Sequence, residues 1–204
     1  MLIKYVLVSI MAYLLGNFAA AYLVSKTAGK IDIREHGSGN AGSTNVFRVL
    51  GAKAAAFAFL GDALKGVAAV LIGRYIGGSY GELLAGIFVV AGHNWPILLG
   101  GKGGKGVATT IGVMIAIDPL IVAFIVIIGI IIIAATRYVS LASVAGVIIF
   151  PISMIITRKP IEYIIFSLIL TAMALYKHKA NIGRLIKGNE SKFGRKTKSE
   201  QEGI

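Results

Sequence analysis

The 204-residue chain contains no cysteine, which excludes disulfides, thiolate zinc sites and a cysteine nucleophile. Charged residues are also scarce: Asp, Glu, Lys and Arg make up 15% of the chain, against about 25% in an ordinary soluble domain. A soluble domain of this length would have too little polar surface to cover itself. The composition therefore excludes a soluble enzyme core and a disordered chain.

Hydrophobic sequence is what the chain has instead, at 56% of residues and a mean hydropathy of +0.81. A membrane-spanning helix needs about 20 apolar residues. Segments that meet or approach this length are 1–24, 51–76, 81–99, 106–117, 119–136, 139–157 and 160–177. We predict an all-α, polytopic helical membrane protein. Five to seven crossings fit the pattern and we expect seven, with 106–117 short enough to be only partly inserted.

The first apolar run, 1–24, also has features of a signal peptide. A first transmembrane helix is the preferred interpretation because a charged loop ends the run and further spans follow it. We predict a single membrane domain over 1–192 and a basic, disordered tail over 193–204.

Acidic residues are few: nine stand against 21 Lys and Arg, for a net charge of +12. If the N-terminus lies outside and the spans alternate, most of the basic residues fall on the inner side, as the positive-inside rule requires. Such loops lie next to anionic lipid, so the lipid bilayer explains the charge and no nucleic acid partner is expected. The same arrangement puts three polar segments on the inner face: 26–48, 93–106 and 177 onward.

The first polar segment contains a loop of small residues at 36–45, followed by Arg48. Its glycines let backbone N–H groups turn toward an anion, and Arg48 can add a bidentate phosphate contact. A flexible linker has no need of two Asn, a Thr and an Arg, so we favour anion binding. The candidate binding residues are Ser38, Gly39, Asn40, Gly42, Thr44, Asn45 and Arg48.

The second polar segment, 93–106, interleaves glycines with two lysines. Backbone donors beside fixed positive charge are typical of phosphate sites, and a short helix beginning at Val107 would direct its positive dipole end at this loop. A dinucleotide site is excluded because no βαβ unit surrounds the glycines, and the spacing does not match a Walker A loop. The candidates are His93, Lys102, Gly103, Gly104, Lys105 and Gly106; taken alone, His93 fits a structural role better.

The third polar segment begins where the last apolar span ends. At helical spacing His178, Asn181 and Arg184 share one face, and a histidine there can act as a base or a donor near neutral pH. An ordinary basic segment that ends a span is the alternative interpretation.

Two other groups of polar residues lie in or next to the spans. Asp62 and Lys65 are expected to pair, because each charge is costly at membrane depth. Ser143, together with Ser140, either caps the sixth span or reaches a ligand.

Several kinds of catalytic pattern are missing from the inner loops: a Ser/His/Asp nucleophile, paired carboxylates, metal-ligand spacing and the His-x-x-x-x-Asp acyltransferase motif. A reaction here would depend on positioning and cationic stabilisation, and so would need an activated substrate. Neither a metal nor a cofactor is expected.

Together the three segments resemble the bacterial membrane acyltransferase family that moves a fatty acyl group from acyl phosphate to glycerol 3-phosphate. The matching stretches are Ser38-Gly-Asn-Ala-Gly-Ser-Thr-Asn45, Gly92-His-Asn-Trp-Pro96, Lys102-Gly-Gly-Lys-Gly-Val-Ala-Thr109 and His178-Lys-Ala-Asn-Ile-Gly-Arg184 with Gly188 and Glu190. The resemblance extends from the first span to about residue 192. It departs at Gly101, where many relatives carry an aromatic residue.

The resemblance implies that glycerol 3-phosphate and acyl phosphate are the substrates and lysophosphatidic acid the product, in the first step of phospholipid synthesis. It also implies a bacterial cytoplasmic (inner) membrane location, cytoplasmic site loops and C-terminus, and a soluble enzyme that supplies the acyl phosphate. Because acyl phosphate is already activated, the transfer is expected to be direct, without an acyl-enzyme.

In this hypothesis glycerol 3-phosphate lies among the first-loop residues, and Lys105 with the amides of 103–106 contacts the phosphates. His178, held by Asn181, either accepts the hydroxyl proton or orients the acceptor; alternatively, a phosphate oxygen of the donor accepts the proton. A transporter of an organophosphate anion and a structural membrane subunit are the other function classes considered.

Overall fold

The computed structural model describes residues 2–194, and within that range the regular structure is entirely helical. The long elements are α1 (Leu2–Asn17), α2 (Ala20–Ala28), α3 (Ser43–Asn94), α4 (Val107–Ile117), α5 (Pro119–Thr136), α6 (Val139–Ile156) and α7 (Ile161–Ile186). Short 3₁₀ turns lie at Ile33–Glu35 and Ile97–Leu99.

Two glycines divide α3 into three helical pieces, 43–50, 52–77 and 79–94. Gly51 and Gly78 have φ values of +82° and +65°, a region that favours glycine. At Gly78 the chain reverses direction, and Gly73 and Gly81 come together on either side of the turn. A Cβ atom at either one would overlap the backbone of the other, so this hairpin requires both glycines.

Within residues 2–194, five helical segments are long and apolar enough to cross a membrane: Leu2–Ala28, Ser43–Leu99, Pro119–Thr136, Val139–Ile156 and Ile161–Ile186. The second of these folds back at Gly78, and α4 has 11 residues where a full crossing needs about 20. The prediction of an all-α membrane fold is confirmed. The count of seven crossings is not.

Successive helical passages alternate in direction, so their connections collect at two ends. One end, here called the loop end, holds 29–42, 95–106, 137–138 and 187–194. At the opposite end Lys159 pairs with Asp118 at 2.6 Å, and the buried Glu82 is bound by Arg74 and Tyr163. The three polar segments predicted from sequence thus meet at the loop end.

Two apolar clusters hold this arrangement. The larger one joins helices along the bundle and includes Val89, Val113 and the edge-to-face pair Phe150 and Phe166, whose centroids are 6.3 Å apart. The smaller one contains Ile33, Ala41 and Val46 and packs the connection 29–42 against α3.

Candidate active site

A cavity of about 1110 Å³ begins at the loop end and extends between the helices. Its polar part is lined by residues from all three polar segments. Its apolar part is lined by side chains of α3 to α7, among them Phe59, Met114, Val126, Ile130, Val147, Phe150 and Leu170. One continuous space therefore joins a polar pocket to an apolar channel.

Asn45 fixes the shape of the first loop. Its Oδ1 accepts a hydrogen bond from the N–H of Ser38 at 2.8 Å, and its Nδ2 donates to the carbonyls of Ile33 at 3.1 Å and His36 at 2.9 Å. Asn45 lines the cavity, as predicted, but its amide is used within the loop. The structure therefore gives Asn45 a role in holding the loop.

The other first-loop candidates also border the cavity, namely Ser38, Gly39, Asn40, Gly42, Thr44 and Arg48. Because α3 begins at Ser43, the positive end of its dipole lies at this pocket. Within residues 2–194, Arg48 forms no ion pair and so keeps its charge available for an anion.

The second loop divides into residues that face the cavity and residues that support them. Lys105 and Gly106 line the cavity, and α4 begins at Val107 as predicted. Lys102 is exposed and does not line it. Gly103 and Gly104 also lie outside the lining and pack against His93, whose carbonyl accepts from the Gly104 N–H at 3.2 Å. The structure thus does not bring Lys102, Gly103 or Gly104 to the predicted phosphate site.

Lys105 is partly buried, and its ammonium donates to Oδ1 of Asn181. Burial lowers the pKa of Lys105 to about 8, although Glu190 acts in the opposite direction. The nearby charges of Arg184, Arg48 and Lys177 lower the pKa further. An anion in the cavity would stabilise the ammonium form of Lys105 and raise this pKa again.

His178 is buried in the C-terminal half of α7, where it lines the cavity. Its Nδ1 lies 2.8 Å from the carbonyl oxygen of Ala174. A carbonyl only accepts, so Nδ1 carries the proton and Nε2 has the free lone pair in the neutral ring. The prediction that Asn181 holds His178 is replaced by this contact within the helix.

Glu190 is a site residue that the sequence reasoning did not single out for the site. Its Oε1 accepts from Asn181 Nδ2 at 2.6 Å, and its Oε2 pairs with Arg184 Nε at 2.7 Å. Burial raises the pKa of Glu190, but the neighbouring Asn181, Ser140 and Arg184 side chains outweigh it and hold the pKa below its usual value. The available signal was a lone carboxylate in the basic stretch 177–192. Arg184 also lines the cavity, but its charge is already balanced by Glu190.

Residues 187–194, here called the C-terminal strap, run back across the loop end. The N–H of Phe193 donates to the carbonyl of Arg137 at 2.7 Å, and its ring stacks on Phe47 with centroids 4.4 Å apart. Phe193, which the sequence assigned to the tail, therefore packs against the membrane domain. The remainder of that tail, 195–204, lies outside the described residues.

The predicted pair within α3 is present, with Lys65 Nζ 2.7 Å from Asp62 Oδ1. His93 lies beside this pair and also lines the cavity. Ser143 borders the cavity too, but its hydroxyl donates to the carbonyl of Val139 at 2.9 Å.

Comparisons with known proteins agree over nearly the whole chain. The sequence profile of a family described as glycerol-3-phosphate acyltransferase matches residues 6–188. A glycerol-3-phosphate acyltransferase of Thermoanaerobacter pseudethanolicus is 51% identical over 94% of this chain and 97% of its own length. One from Clostridioides difficile is 50% identical over 95% and 97%.

Two crystal structures of PlsY (YgiH), an integral membrane glycerol 3-phosphate acyltransferase, have the same fold. The glycerol 3-phosphate form superposes with a TM-score of 0.89 at 37% identity, over 93% of this chain and 96% of that one. The lysophosphatidic acid form gives 0.86 at 36% identity, over 93% and 95%. The chain belongs to the glycerol-3-phosphate acyltransferase family.

Proposed function

We propose that this protein transfers a fatty acyl group from acyl phosphate to the 1-hydroxyl of glycerol 3-phosphate, giving lysophosphatidic acid and phosphate. The observation that carries the proposal is the two-part cavity, with free cations at one end and apolar helix faces at the other. Such a space can hold a small phosphate-bearing acceptor and a long-chain donor together. Membership of the acyltransferase family supports the reaction class.

The chemistry is a direct transfer. The 1-hydroxyl oxygen forms a bond to the acyl carbon, the bond between that carbon and the phosphate oxygen breaks, and phosphate leaves with the electron pair. No enzyme nucleophile is needed because the donor is a mixed anhydride. The protein's contribution is to position the two substrates and to stabilise negative charge as it develops.

Arg48 and Lys105 are the residues we assign to that charge. Both line the polar part of the cavity, and neither forms an ion pair within residues 2–194. The N-termini of α3 and α4 add backbone donors at the same pocket. A phosphate-bearing ligand is therefore surrounded by positive charge from two loops.

Two acceptors fit the hydroxyl proton: Nε2 of His178 and a phosphate oxygen of the donor. No carboxylate within residues 2–194 forms a hydrogen bond with His178, so the ring lacks the bonded partner that an aspartate provides in a triad. We therefore favour the phosphate oxygen. Replacing His178 with Ala distinguishes the two, because loss of a sole base costs about 10²–10⁴-fold in kcat. A kcat within about tenfold of wild type assigns the proton to the substrate.

The proposed setting is the bacterial cytoplasmic membrane, with the N-terminus outside and the loop end in the cytoplasm. The basic residues of the loop end support this orientation. Glycerol 3-phosphate then enters from the cytoplasm, and a soluble enzyme that makes acyl phosphate is the partner on that side.

The first test is product formation by purified protein in lipid or detergent, given palmitoyl phosphate and glycerol 3-phosphate. Palmitoyl-CoA serves as the control donor. Lysophosphatidic acid that forms only with palmitoyl phosphate is the expected result. No product from either donor, with protein that elutes as a folded species, would reject the proposal, and an organophosphate flux assay in liposomes would then test the transport alternative.

A further inference from the structure

The first apolar segment, Leu2–Ala28, is long enough to cross a membrane but is broken within its length. Between α1 and α2, Phe18 and Ala19 leave the helix, and Ala19 has extended backbone angles of −88° and 95°. A break of this kind frees backbone carbonyls on one side and N–H groups on the other. In an apolar environment an unsatisfied backbone group is strongly destabilising, so the fold must supply partners.

Two charged side chains of α3 supply those partners. Lys65 Nζ lies 3.1 Å from the carbonyl oxygen of Gly16 and 2.6 Å from that of Phe18. Asp62 Oδ1 accepts from the N–H of Ala20 at 3.3 Å. The positive charge therefore meets the negative end of α1, and the negative charge meets the positive end of α2.

His93 joins the same cluster from the end of α3, with 3% of its surface exposed. Its Nδ1 lies 2.9 Å from Lys65 Nζ and 3.4 Å from Asp62 Oδ1. An ammonium group only donates, so Nδ1 accepts and the ring proton belongs on Nε2. Asp62 and Lys65 thereby fix both the orientation and the tautomer of the ring.

His93 contacts the second loop through both its backbone and its ring. Its backbone carbonyl accepts from the N–H of Gly104 at 3.2 Å. A Cβ atom at Gly104 would overlap His93 Nε2 and would lie 2.7 Å from the carbonyl oxygen of Ala41 in the first loop. The imidazole edge thus meets the second loop where it passes the first, one residue before Lys105.

We propose that His93 is a positioning residue for Lys105, and that the Asp62–Lys65 pair holds His93 in place for that purpose. The inference rests on the proposed function, because it assigns Lys105 to a substrate phosphate. His93 acts through the Gly104 backbone, which sets how far the Lys105 ammonium reaches into the cavity. A cluster that served only to satisfy the helix break would leave the site unchanged in folded protein.

The test compares His93→Leu, which removes both ring nitrogens, with His93→Asn, whose Oδ1 can accept from Lys65 in place of Nδ1. For His93→Leu we expect kcat/KM for glycerol 3-phosphate to fall at least about tenfold per folded molecule, with a raised KM. His93→Asn should recover most of this loss. Gly104→Ala disturbs the same contact from the loop and is the second variant if His93→Leu does not fold.

The alkaline limb of the pH–rate profile gives a readout that stability alone does not move. The polar and charged groups around Lys105 are Asn181, Glu190, Arg184, Arg48, Lys177 and His178, and all are unchanged in these variants. A loosened loop exposes the Lys105 ammonium, so its pKa rises from about 8 toward its usual value. The alkaline limb should therefore move to higher pH in His93→Leu and Gly104→Ala.

Tyr163→Phe is the matched control, since it removes a hydrogen bond to the buried Glu82 at the opposite end of the bundle. It should lower thermal stability and leave KM and the alkaline limb as in wild type. The inference is overturned if His93→Leu and Gly104→Ala, measured per folded molecule, also keep the wild-type KM and alkaline limb. An inactive wild-type protein would instead reject the proposed function itself.

Discussion

At the scale of single residues, the cations that line the cavity differ in whether a carboxylate already neutralises their charge. Arg184 is paired with Glu190, whereas Lys105 donates to the neutral amide of Asn181. Burial makes the Lys105 charge costly, and an anion in the cavity offsets that cost. The residues most sensitive to substrate are therefore the partly buried cations without a carboxylate partner.

Lys105→Ala should lose about 2–4 kcal/mol of transition-state stabilisation, as removal of a preorganised electrostatic contact typically does. Purified variants would be compared by kcat/KM for both substrates. Lys102→Ala is the control, because Lys102 lies in the same loop but is exposed and outside the cavity lining. Wild-type kinetics for Lys105→Ala, or equal losses for the two variants, would remove Lys105 from the site.

The pH dependence of the reaction should also report on Lys105. Its pKa is lowered to about 8 by burial, so activity that needs the ammonium form declines as the pH rises through that value. Lys105→Arg retains the charge far above this range and should abolish the alkaline limb, even if its larger side chain lowers kcat. A limb near pH 8 that persists in Lys105→Arg belongs to another group.

At the scale of elements, the C-terminal strap connects parts of the chain that are distant in sequence. Phe193 stacks on Phe47 of α3 and its N–H bonds the carbonyl of Arg137, which follows α5. Glu190 of the same strap binds Asn181 and Arg184 of α7. The strap therefore joins three elements around the mouth of the cavity.

A double-mutant cycle on Phe47 and Phe193 tests whether this contact contributes to stability. Aromatic pairs are worth about 0.5–1.5 kcal/mol beyond area burial, so Phe47→Leu and Phe193→Leu should show a coupling of that size. Thermal unfolding in detergent would be followed for both single variants and the double variant. Phe57→Leu is the control, since its ring is an exposed one on the same helix. Strictly additive losses would show that the two rings do not interact in solution.

Helices could be predicted from the sequence where nearby residues determine where each helix begins and ends. The apolar runs and the turn at Gly106 carry their own signals, and α4 begins at Val107 as predicted. The break between α1 and α2 was missed because neither of its residues, Phe18 and Ala19, is a glycine or a proline. Its partners are Lys65 and Asp62, more than forty residues away, and only the tertiary fold reveals them.

The same distinction explains the site. Lys102 and Lys105 each follow a pair of glycines, so their local sequence does not separate an exposed lysine from a buried one. Asn45 is of a residue type that often binds phosphate, yet its side-chain amide is already hydrogen-bonded to three backbone groups. Membership of the polar pocket could be predicted for most candidates, but the direction of each side chain could not.

At the scale of the whole molecule, the cavity links the two environments that the proposed substrates come from. Its polar part lies at the loop end among basic residues, and its apolar part runs down between helices whose outer faces are themselves apolar. A charged acceptor can thus meet an acyl donor without entering an apolar environment, and the alkyl chain of the donor need not enter water. The helices around the apolar part should then determine which acyl chains fit.

Gly146 offers a direct test of that role. It lines the cavity on α6, about 9 Å along the helix from Ser140 near the loop end. A Cβ atom there would already lie 3.1 Å from Cγ2 of Ile125, so Gly146→Leu should close the channel below that depth. We expect kcat/KM for palmitoyl phosphate to fall at least about tenfold, and that for octanoyl phosphate by less than about threefold.

Ala123→Leu places the same side chain at an exposed position of α5 that does not line the cavity. It should leave the ratio of the two donors unchanged. If Gly146→Leu lowers the rates with both donors equally, the loss comes from misfolding or from the polar pocket, because neither cause distinguishes a long chain from a short one. Only a selective loss of the long donor is consistent with an acyl chain lying between α5 and α6.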